Sequence, residues 1–148
     1  MRHSKIALAM LLACGTPAWA EKTLVESPDA PKAIGPYSQA IKSGGLVFVS
    51  GSLPFDPAGK TDYSTLDVAT QTRRVIDNIA LTLSAAKLTL DDVVSATVYV
   101  TDVNDFAAVN AVYASSFKPP YPARTFVQVA KLLRGVKVEI TVIAAAKP

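Results

Sequence analysis

Two charged side chains in the last third of the chain, Arg124 and Glu139, are of types that could do chemistry. Arg124 follows the Pro-rich loop 119–122 and opens a predicted strand. A guanidinium at the rim of a sheet can grip a carboxylate through two parallel hydrogen bonds. Glu139 lies in a later predicted strand and is the only Glu after residue 26. The plain alternatives stay open: Arg124 as a surface cation paired with an acid, and Glu139 as a solvated strand residue.

Three further positions have polar groups that could contact a ligand: Tyr37, Ser50-Gly51 and Asn110. Tyr37 follows Gly35-Pro36 and is predicted to point its hydroxyl out of a loop, the alternative being a core position. Ser50-Gly51 ends a strand, where backbone N–H groups could face a ligand or simply form a turn. Asn110 interrupts the apolar face of a predicted helix, either as an inward hydrogen-bonding residue or as a tolerated polar one.

The composition excludes several kinds of active site. The first 20 residues contain the only His, Cys and Trp and both Met of the sequence. A chain cleaved after Ala20 has no Ser-His-Asp triad, Cys nucleophile, His base, zinc site of the usual type or Fe–S cluster. Its 128 residues would carry 13 Lys and Arg against 12 Asp and Glu. This near-neutral balance argues against nucleic acid as the main partner.

Residues 1–20 have the pattern of a secretory signal peptide. A basic start, an apolar run over 6–13 and the ending Ala18-Trp19-Ala20 predict an exported, periplasmic protein with one mature domain over 21–148. The apolar run is too short to span a bilayer. Leu11-Leu12-Ala13-Cys14 also resembles the lipobox of a bacterial lipoprotein, so lipidation at Cys14 is the alternative that would place the protein on a membrane.

The elements that must position these side chains form the predicted order ββαβαββ, with a further possible short strand at 23–26. Such an order indicates an α+β domain with a mixed sheet and two helices on one face. A box of Ser64 and Asp67 is expected to open the first helix, and Asn104 to cap the second. The predicted strands are 37–41, 46–50, 93–100, 123–130 and 136–144, the last two treated as partners joined by residues 131–135.

Side-chain alternation assigns the faces of the last two strands. Arg124, Phe126 and Gln128 share one face of their strand, and Glu139 shares a face with Lys137 and Thr141. Strand 93–100 is apolar on most positions of both faces. Because the helices cover one side of the sheet only, the other side is predicted to meet another subunit.

Taken together and in order, several segments resemble the RidA (YjgF) family of reactive-intermediate deaminases. The resemblance spans roughly residues 28–145, nearly the whole mature chain. The segments that carry it are Ile34-Gly35-Pro36-Tyr37-Ser38-Gln39-Ala40, 49–51, 71–73, Asn104-Asp105-Phe106 with Asn110 and Tyr113, Pro122-Ala123-Arg124-Thr125-Phe126-Val127-Gln128-Val129-Ala130, and Val138-Glu139-Ile140.

The resemblance implies a fold, an assembly and an activity. It implies a homotrimer of chorismate-mutase-like α+β subunits with active sites in the clefts between them. Family members that deaminate hydrolyse the enamine or imine of small 2-amino acids, such as 2-aminoacrylate or 2-iminopropionate, to the 2-keto acid and ammonia, without metal or cofactor. A small carboxylate is therefore the implied ligand.

The resemblance also implies roles for individual residues. Arg124 matches the Arg that clamps the substrate carboxylate, and Glu139 the Glu that positions the attacking water. Tyr37 matches the pocket tyrosine, while Ser50, Gly51 and Asn110 match residues that line or support the cleft. The sequence departs from the family pattern at Phe126, where many relatives carry Cys or a small residue, at Ser52, where Gln is common, and at Lys87, where a helix-ending Gly is usual.

Two other functions stay open. One is a non-catalytic trimer that binds small carboxylates or shields unfolding proteins, which the presence of both Arg124 and Glu139 disfavours. The other is a ribonuclease, an activity ascribed to some relatives, which the near-neutral charge and the lack of histidine after residue 20 disfavour.

Overall fold

A computed structural model describes residues 21–146, which form a six-stranded mixed sheet and two helices. The predicted leader 1–20, with Cys14, lies outside the described residues, and export stays a prediction. No helix within 21–146 is both long and apolar enough to cross a membrane. The elements are β1 (Thr23–Val25), β2 (Ala40–Ser43), β3 (Leu46–Ser52), α1 (Val68–Ala85), β4 (Val93–Val100), α2 (Phe106–Ser116), β5 (Ala123–Gln128) and β6 (Val138–Ala145).

The sheet has the order β1-β2-β3-β6-β4-β5, and only the β4–β5 pair is parallel. The predicted α+β class with two helices packed on the sheet is confirmed. The predicted pairing of the last two strands is wrong, because β4 lies between β5 and β6. Strand β4 is apolar on both faces, which is typical of a strand inside a sheet rather than at its edge. The chain returns from β4 through α2, and this crossover makes β5 run parallel to β4.

Both helices begin at caps other than the predicted ones. The Asp67 carboxylate accepts a hydrogen bond from the Thr70 N–H (2.9 Å), so Asp67 itself is the N-cap of α1, and Ser64 lies in a preceding 3₁₀ turn. Asn104 does not cap α2 either: it lies in a 3₁₀ turn over 103–105, where its N–H donates to the Asp102 carboxylate (2.9 Å), and Asp105 at the N-cap position of α2 makes no side-chain cap bond. In each case the residue two or three positions before the bonded N–H supplies the acceptor.

The end of α1 confirms the unusual position of Lys87, which adopts a left-handed φ of 59°. The Lys87 N–H donates to the Ser84 carbonyl and the Leu88 N–H to the Leu83 carbonyl, at 2.9 and 3.0 Å. These bonds form a Schellman motif, in which glycine is the usual residue at the left-handed position. Lys87 carries the steric cost that glycine would avoid.

The two faces of the sheet differ as alternation predicts. On β6 the residues Val138, Ile140, Val142 and Ala144 are buried beneath the helices, while the odd-numbered residues point to the opposite, helix-free face. On that face Phe48 and Val127 remain 43% and 37% exposed in the single chain. The expectation that this face meets another subunit stays a prediction.

A fully buried glutamine, Gln71, fixes the start of β6 and thereby the position of Glu139 along the strand. The Gln71 Oε1 accepts the Lys137 N–H at 2.7 Å, and its Nε2 donates to the Leu66 carbonyl at 3.0 Å. A buried amide with both ends bonded holds a single rotamer, because losing either bond would leave a buried polar group unpaired. The helix therefore sets the register of the strand that carries Glu139.

Candidate active site

Glu139 lies on the helix-free face of β6 directly against Gly51. Strand β3 is irregular between Val49 and Ser52, where the regular pairing with β6 is interrupted. A Cβ built on Gly51 would collide with Glu139 Oε1 and come within 2.9 Å of Glu139 Cδ. Only glycine leaves room for the carboxylate at this point of the sheet.

The carboxyl group of Glu139 is half-buried and has no hydrogen-bond or ion-pair partner among residues 21–146. Burial raises the pKa of Glu139 above the usual range of a glutamate, because the charged form loses hydration. A carboxylate with a raised pKa is a better proton acceptor near neutral pH. Glu139 thus has the properties of a candidate general base.

Tyr37, Ser50 and Gly51 lie together beside a small cavity of about 50 Å³. Ser50 is engaged within the protein: its N–H donates to the Gln39 carbonyl (3.0 Å) and its hydroxyl to the Ser38 carbonyl (2.6 Å). The Tyr37 hydroxyl accepts the Ile34 N–H (3.2 Å), so it turns back onto its loop instead of pointing outward as predicted. The ring of Tyr37 is half-exposed and is therefore the part of this residue that a ligand could contact.

Arg124 is exposed on β5, and its guanidinium lies over aromatic rings. Its Cζ is 4.6 Å from the ring centroid of Tyr113, with Phe106 and Phe126 at 5.9 and 6.0 Å. Within residues 21–146 no carboxylate forms an ion pair with it, since the one ion pair there joins Lys118 to Asp91. Aromatic faces hold a guanidinium by cation–π attraction while leaving its N–H groups able to bind an anion.

An open groove of about 500 Å³ runs beside Arg124, and two of the residues that line it, Asn110 and Tyr113, each have a buried polar atom. The Asn110 Oδ1 and the Tyr113 hydroxyl are shielded from solvent and have no hydrogen-bond partner within residues 21–146. Buried polar atoms normally find a partner, and leaving one unpaired costs about 1–3 kcal/mol. Both atoms are therefore candidates for bonding to a ligand in the groove.

Tyr113 is the residue that sequence reasoning did not assign to the site. It follows Asn110 by three positions on α2, and residues at that spacing lie on one face of a helix. Burial raises the pKa of Tyr113, and the nearby charge of Arg124 opposes that rise. Its ring also stacks on Phe117, with centroids 4.2 Å apart. Its spacing from Asn110 could have placed Tyr113 at the site. A tyrosine on an apolar helix face is, however, more often a core residue, so the pattern favours a core position.

Arg124 and Glu139 lie on opposite faces of one sheet. Arg124 pairs in register with Ala96, which is buried beneath the helices, so it projects on the helix side. Glu139 pairs with Tyr99 on the helix-free side. A single chain therefore carries two separate groups of side chains, one on each face of the sheet. We call Tyr37, Ser50, Gly51 and Glu139 the base half-site, and Asn110, Tyr113, Arg124 and Phe126 the clamp half-site.

Among residues 21–146, no three His, Cys, Asp or Glu side chains are grouped so that they could hold a metal ion. The two half-sites together offer a cation that can bind a carboxylate and a carboxylate that can accept a proton. They also offer amide and phenol groups that can form hydrogen bonds.

Replacing Gly51 by alanine is expected to displace the Glu139 carboxylate and to lower kcat about a hundredfold, the scale of a 1 Å misplacement of a reacting group. The added methyl group occupies the volume of Glu139 Oε1. The measurement is steady-state kinetics of the imine hydrolysis that the family resemblance implies, together with a melting curve. Gly59→Ala serves as a control for lost stability alone: its φ of 67° strains an alanine, but nothing lies within 4 Å of the added Cβ, so it should lower the melting temperature and leave kcat normal. A Gly51→Ala protein with normal kcat would contradict this account of the site.

Comparison with known proteins places the chain in a family. The family model described as Endoribonuclease L-PSP matches residues 27–146. A RutC family protein of Pyrococcus horikoshii is 47% identical over 124 residues, covering 83% of this chain and 97% of that protein. A 2-iminobutanoate/2-iminopropanoate deaminase of Escherichia coli is 42% identical over 126 residues, covering 83% and 97%.

The fold agrees with this result. The crystal structure of RidA from an Antarctic Psychrobacter superposes with a TM-score of 0.78 at 41% identity, covering 83% of this chain and 98% of that one. A family match over nearly all described residues, joined to relatives that this chain covers almost end to end and that share its fold, shows that the chain belongs to the RidA family, whose model is described as Endoribonuclease L-PSP.

Proposed function

We propose that this protein hydrolyses the imine or enamine forms of small 2-amino acids to 2-keto acids and ammonia. The observation that carries the proposal is Arg124, an exposed guanidinium held over aromatic rings with no acidic partner among residues 21–146. Such a group suits the carboxylate that every 2-imino acid carries. A relative named 2-iminobutanoate/2-iminopropanoate deaminase supports the imine as the reacting group.

The reaction needs one water and no other reactant. Arg124 binds the substrate carboxylate, and the Glu139 carboxylate accepts a hydrogen bond from a water beside the imine carbon. The water oxygen forms a bond to that carbon while Glu139 takes the proton and the C=N electron pair moves to nitrogen. Glu139 then returns that proton to nitrogen, which gives a carbinolamine. The Glu139 carboxylate next takes the hydroxyl proton and passes it to the amino nitrogen as the C–N bond breaks, so that the carbonyl of the 2-keto acid forms and ammonia leaves. The imine carbon is already electrophilic, so orientation and proton transfer suffice.

The active unit in this proposal is a homotrimer. A single subunit holds the clamp half-site and the base half-site on opposite faces of its sheet. Packing the helix-free face of one copy against a neighbour buries Phe48 and Val127, which the single chain leaves exposed. It also brings the base half-site of one subunit to the clamp half-site of the next, as the family resemblance implies.

The direct test is release of 2-keto acid from an imine generated in situ by an amino-acid oxidase. Wild-type protein is expected to exceed the uncatalysed rate, and Glu139→Gln to lower kcat about a thousandfold, within the usual range for loss of a general base. Glutamine keeps the shape but cannot accept the proton. Glu26→Gln, an exposed substitution near the start of the sheet, is the control. Undiminished kcat in Glu139→Gln would leave Glu139 as a solvated strand residue.

The pH profile gives a second readout of the same substitution. Because burial raises the pKa of Glu139, kcat/KM of the wild type should fall as pH decreases through that raised pKa, and this limb should vanish in Glu139→Gln. Stability moves in the opposite sense. The folded chain binds the proton more readily, so the wild type loses stability as pH rises from the unfolded pKa through the folded one. Unfolding of Glu139→Gln should lack that loss.

A further inference from the structure

Two aromatic residues near the Arg124 guanidinium, Phe126 of the clamp half-site and its neighbour Phe106, take no part in the reaction steps described above. Their rings meet edge to face, with centroids 5.0 Å apart and planes at 82°. Phe106 is the first residue of α2 and is 45% exposed, whereas Phe126 is partly buried against the core. A large aromatic ring left this exposed beside a binding group offers apolar surface to a ligand.

The pair lies within reach of anything that Arg124 binds. Phe126 is two residues after Arg124 on β5, so both side chains project from the same face of the strand. The guanidinium carbon is 5.9 and 6.0 Å from the ring centroids of Phe106 and Phe126. In a 2-imino acid the carbon that bears the side chain is bonded directly to the carboxylate. A substrate held by Arg124 therefore has its side chain close either to the two phenylalanines or to the part of α2 that carries Asn110 and Tyr113.

Farther along the same face of α2, one and two turns past Phe106, the site is unsuitable for an apolar group. This part contains the Asn110 Oδ1 and the Tyr113 hydroxyl, which are buried and have no partner within residues 21–146. An alkyl group packed there would keep both atoms unpaired, whereas the imine nitrogen or a water could bond to them. Polarity thus orients the substrate with its nitrogen towards Asn110 and Tyr113 and its side chain towards the two phenylalanines.

We infer that Phe106 and Phe126 form a side-chain subsite that selects substrates with apolar side chains longer than methyl. The inference rests on the proposed function for its substrate class, but the subsite is a binding property and can be measured apart from turnover. Each methylene moved from water onto the rings should strengthen binding about fourfold, the fold-change that corresponds to its transfer free energy. A hydroxylated side chain of the same length should gain nothing.

The test is calorimetric binding of an unbranched series of 2-oxo acids, pyruvate, 2-oxobutanoate and 2-oxopentanoate, to the full chain. Affinity should rise about fourfold per methylene in the wild type, with 3-hydroxypyruvate weaker than 2-oxobutanoate. The rise should disappear in Phe106→Ala and Phe126→Ala and persist in part in Phe126→Leu, which retains the core packing. Tyr63→Ala, which removes a ring beneath another guanidinium, that of Arg74, is the matched control and should keep the rise.

The outcomes separate the subsite from the catalytic proposal. A flat series in the wild type, or an undiminished rise in folded Phe106→Ala and Phe126→Ala, would overturn the subsite. A rise that depends on both rings supports it even if the wild type hydrolyses no imine, a result that would instead overturn the proposed deaminase activity.

Discussion

Arg124→Lys is expected to lower kcat/KM for imine hydrolysis about a hundredfold, because charge-assisted hydrogen bonds contribute about 1.5–3 kcal/mol each. A lysine ammonium is a point charge that cannot make two parallel bonds to a carboxylate, and it loses the planar stacking on Tyr113. The fold should be unaffected, since Arg124 is exposed and has no ion pair within residues 21–146. Kinetics and a melting curve measure the two effects separately.

Arg74→Lys is the matched control for this substitution. Arg74 also lies over a tyrosine ring, with its Cζ 5.5 Å from the centroid of Tyr63, and its Nε donates to the Tyr63 hydroxyl at 3.2 Å. It belongs to neither half-site, so its replacement tests the loss of a stacked guanidinium as such. Equal rates for Arg124→Lys and wild type would reject the carboxylate clamp.

Mixing two inactive variants is expected to restore activity. If each site takes its arginine from one subunit and its glutamate from the next, a trimer assembled at random from equal amounts of Arg124→Lys and Glu139→Gln chains has both wild-type groups in about a quarter of its sites. Neither variant alone can form such a site. The chains are mixed in denaturant, refolded together and assayed against each variant refolded alone.

This experiment decides where the site lies. Recovery near the expected quarter requires that Arg124 and Glu139 act across a subunit boundary. No recovery from mixed oligomers, confirmed by light scattering to contain three subunits, would place catalysis within a single chain. A monodisperse monomer with full activity would reject both the trimer and the shared site, and its activity would not depend on dilution.

The sequence predicts individual strands and faces better than their partners. Alternation over residues 136–142 is a local property, and the burial of Val138, Ile140 and Val142 follows it directly. The strand beside β6 is set by pairing between segments distant along the chain. The local alternation of apolar and polar residues carries no information about that pairing. That is why β5 was wrongly assigned to β6, when the crossover through α2 makes it the parallel neighbour of β4.

The same limit applies to the site. Types and order along the chain single out Arg124 and Glu139, but their placement on opposite faces depends on the register of β4 with both neighbours. The contact of Gly51 with Glu139 depends on an irregularity in β3, which shifts the register of β3 against β6 between Val49 and Ser52. These two strands are distant along the chain. Tyr113 gains its place only because β5 lies alongside α2. Each of these relations is a property of the assembled sheet, which residue types alone do not encode.

Complementary half-sites on opposite faces have a consequence for how copies of this chain can associate. The contact that joins them uses two different surfaces, so it is heterologous, and such a contact leaves one surface of each kind unsatisfied at the ends of any open assembly. Closure depends on how neighbours are related: a rotation of one third of a turn with no translation along its axis closes a ring of three, whereas a relation that does not close continues as a filament. A substitution that tilts the interface around Phe48 without weakening it would therefore lead to open chains of subunits rather than to free monomers.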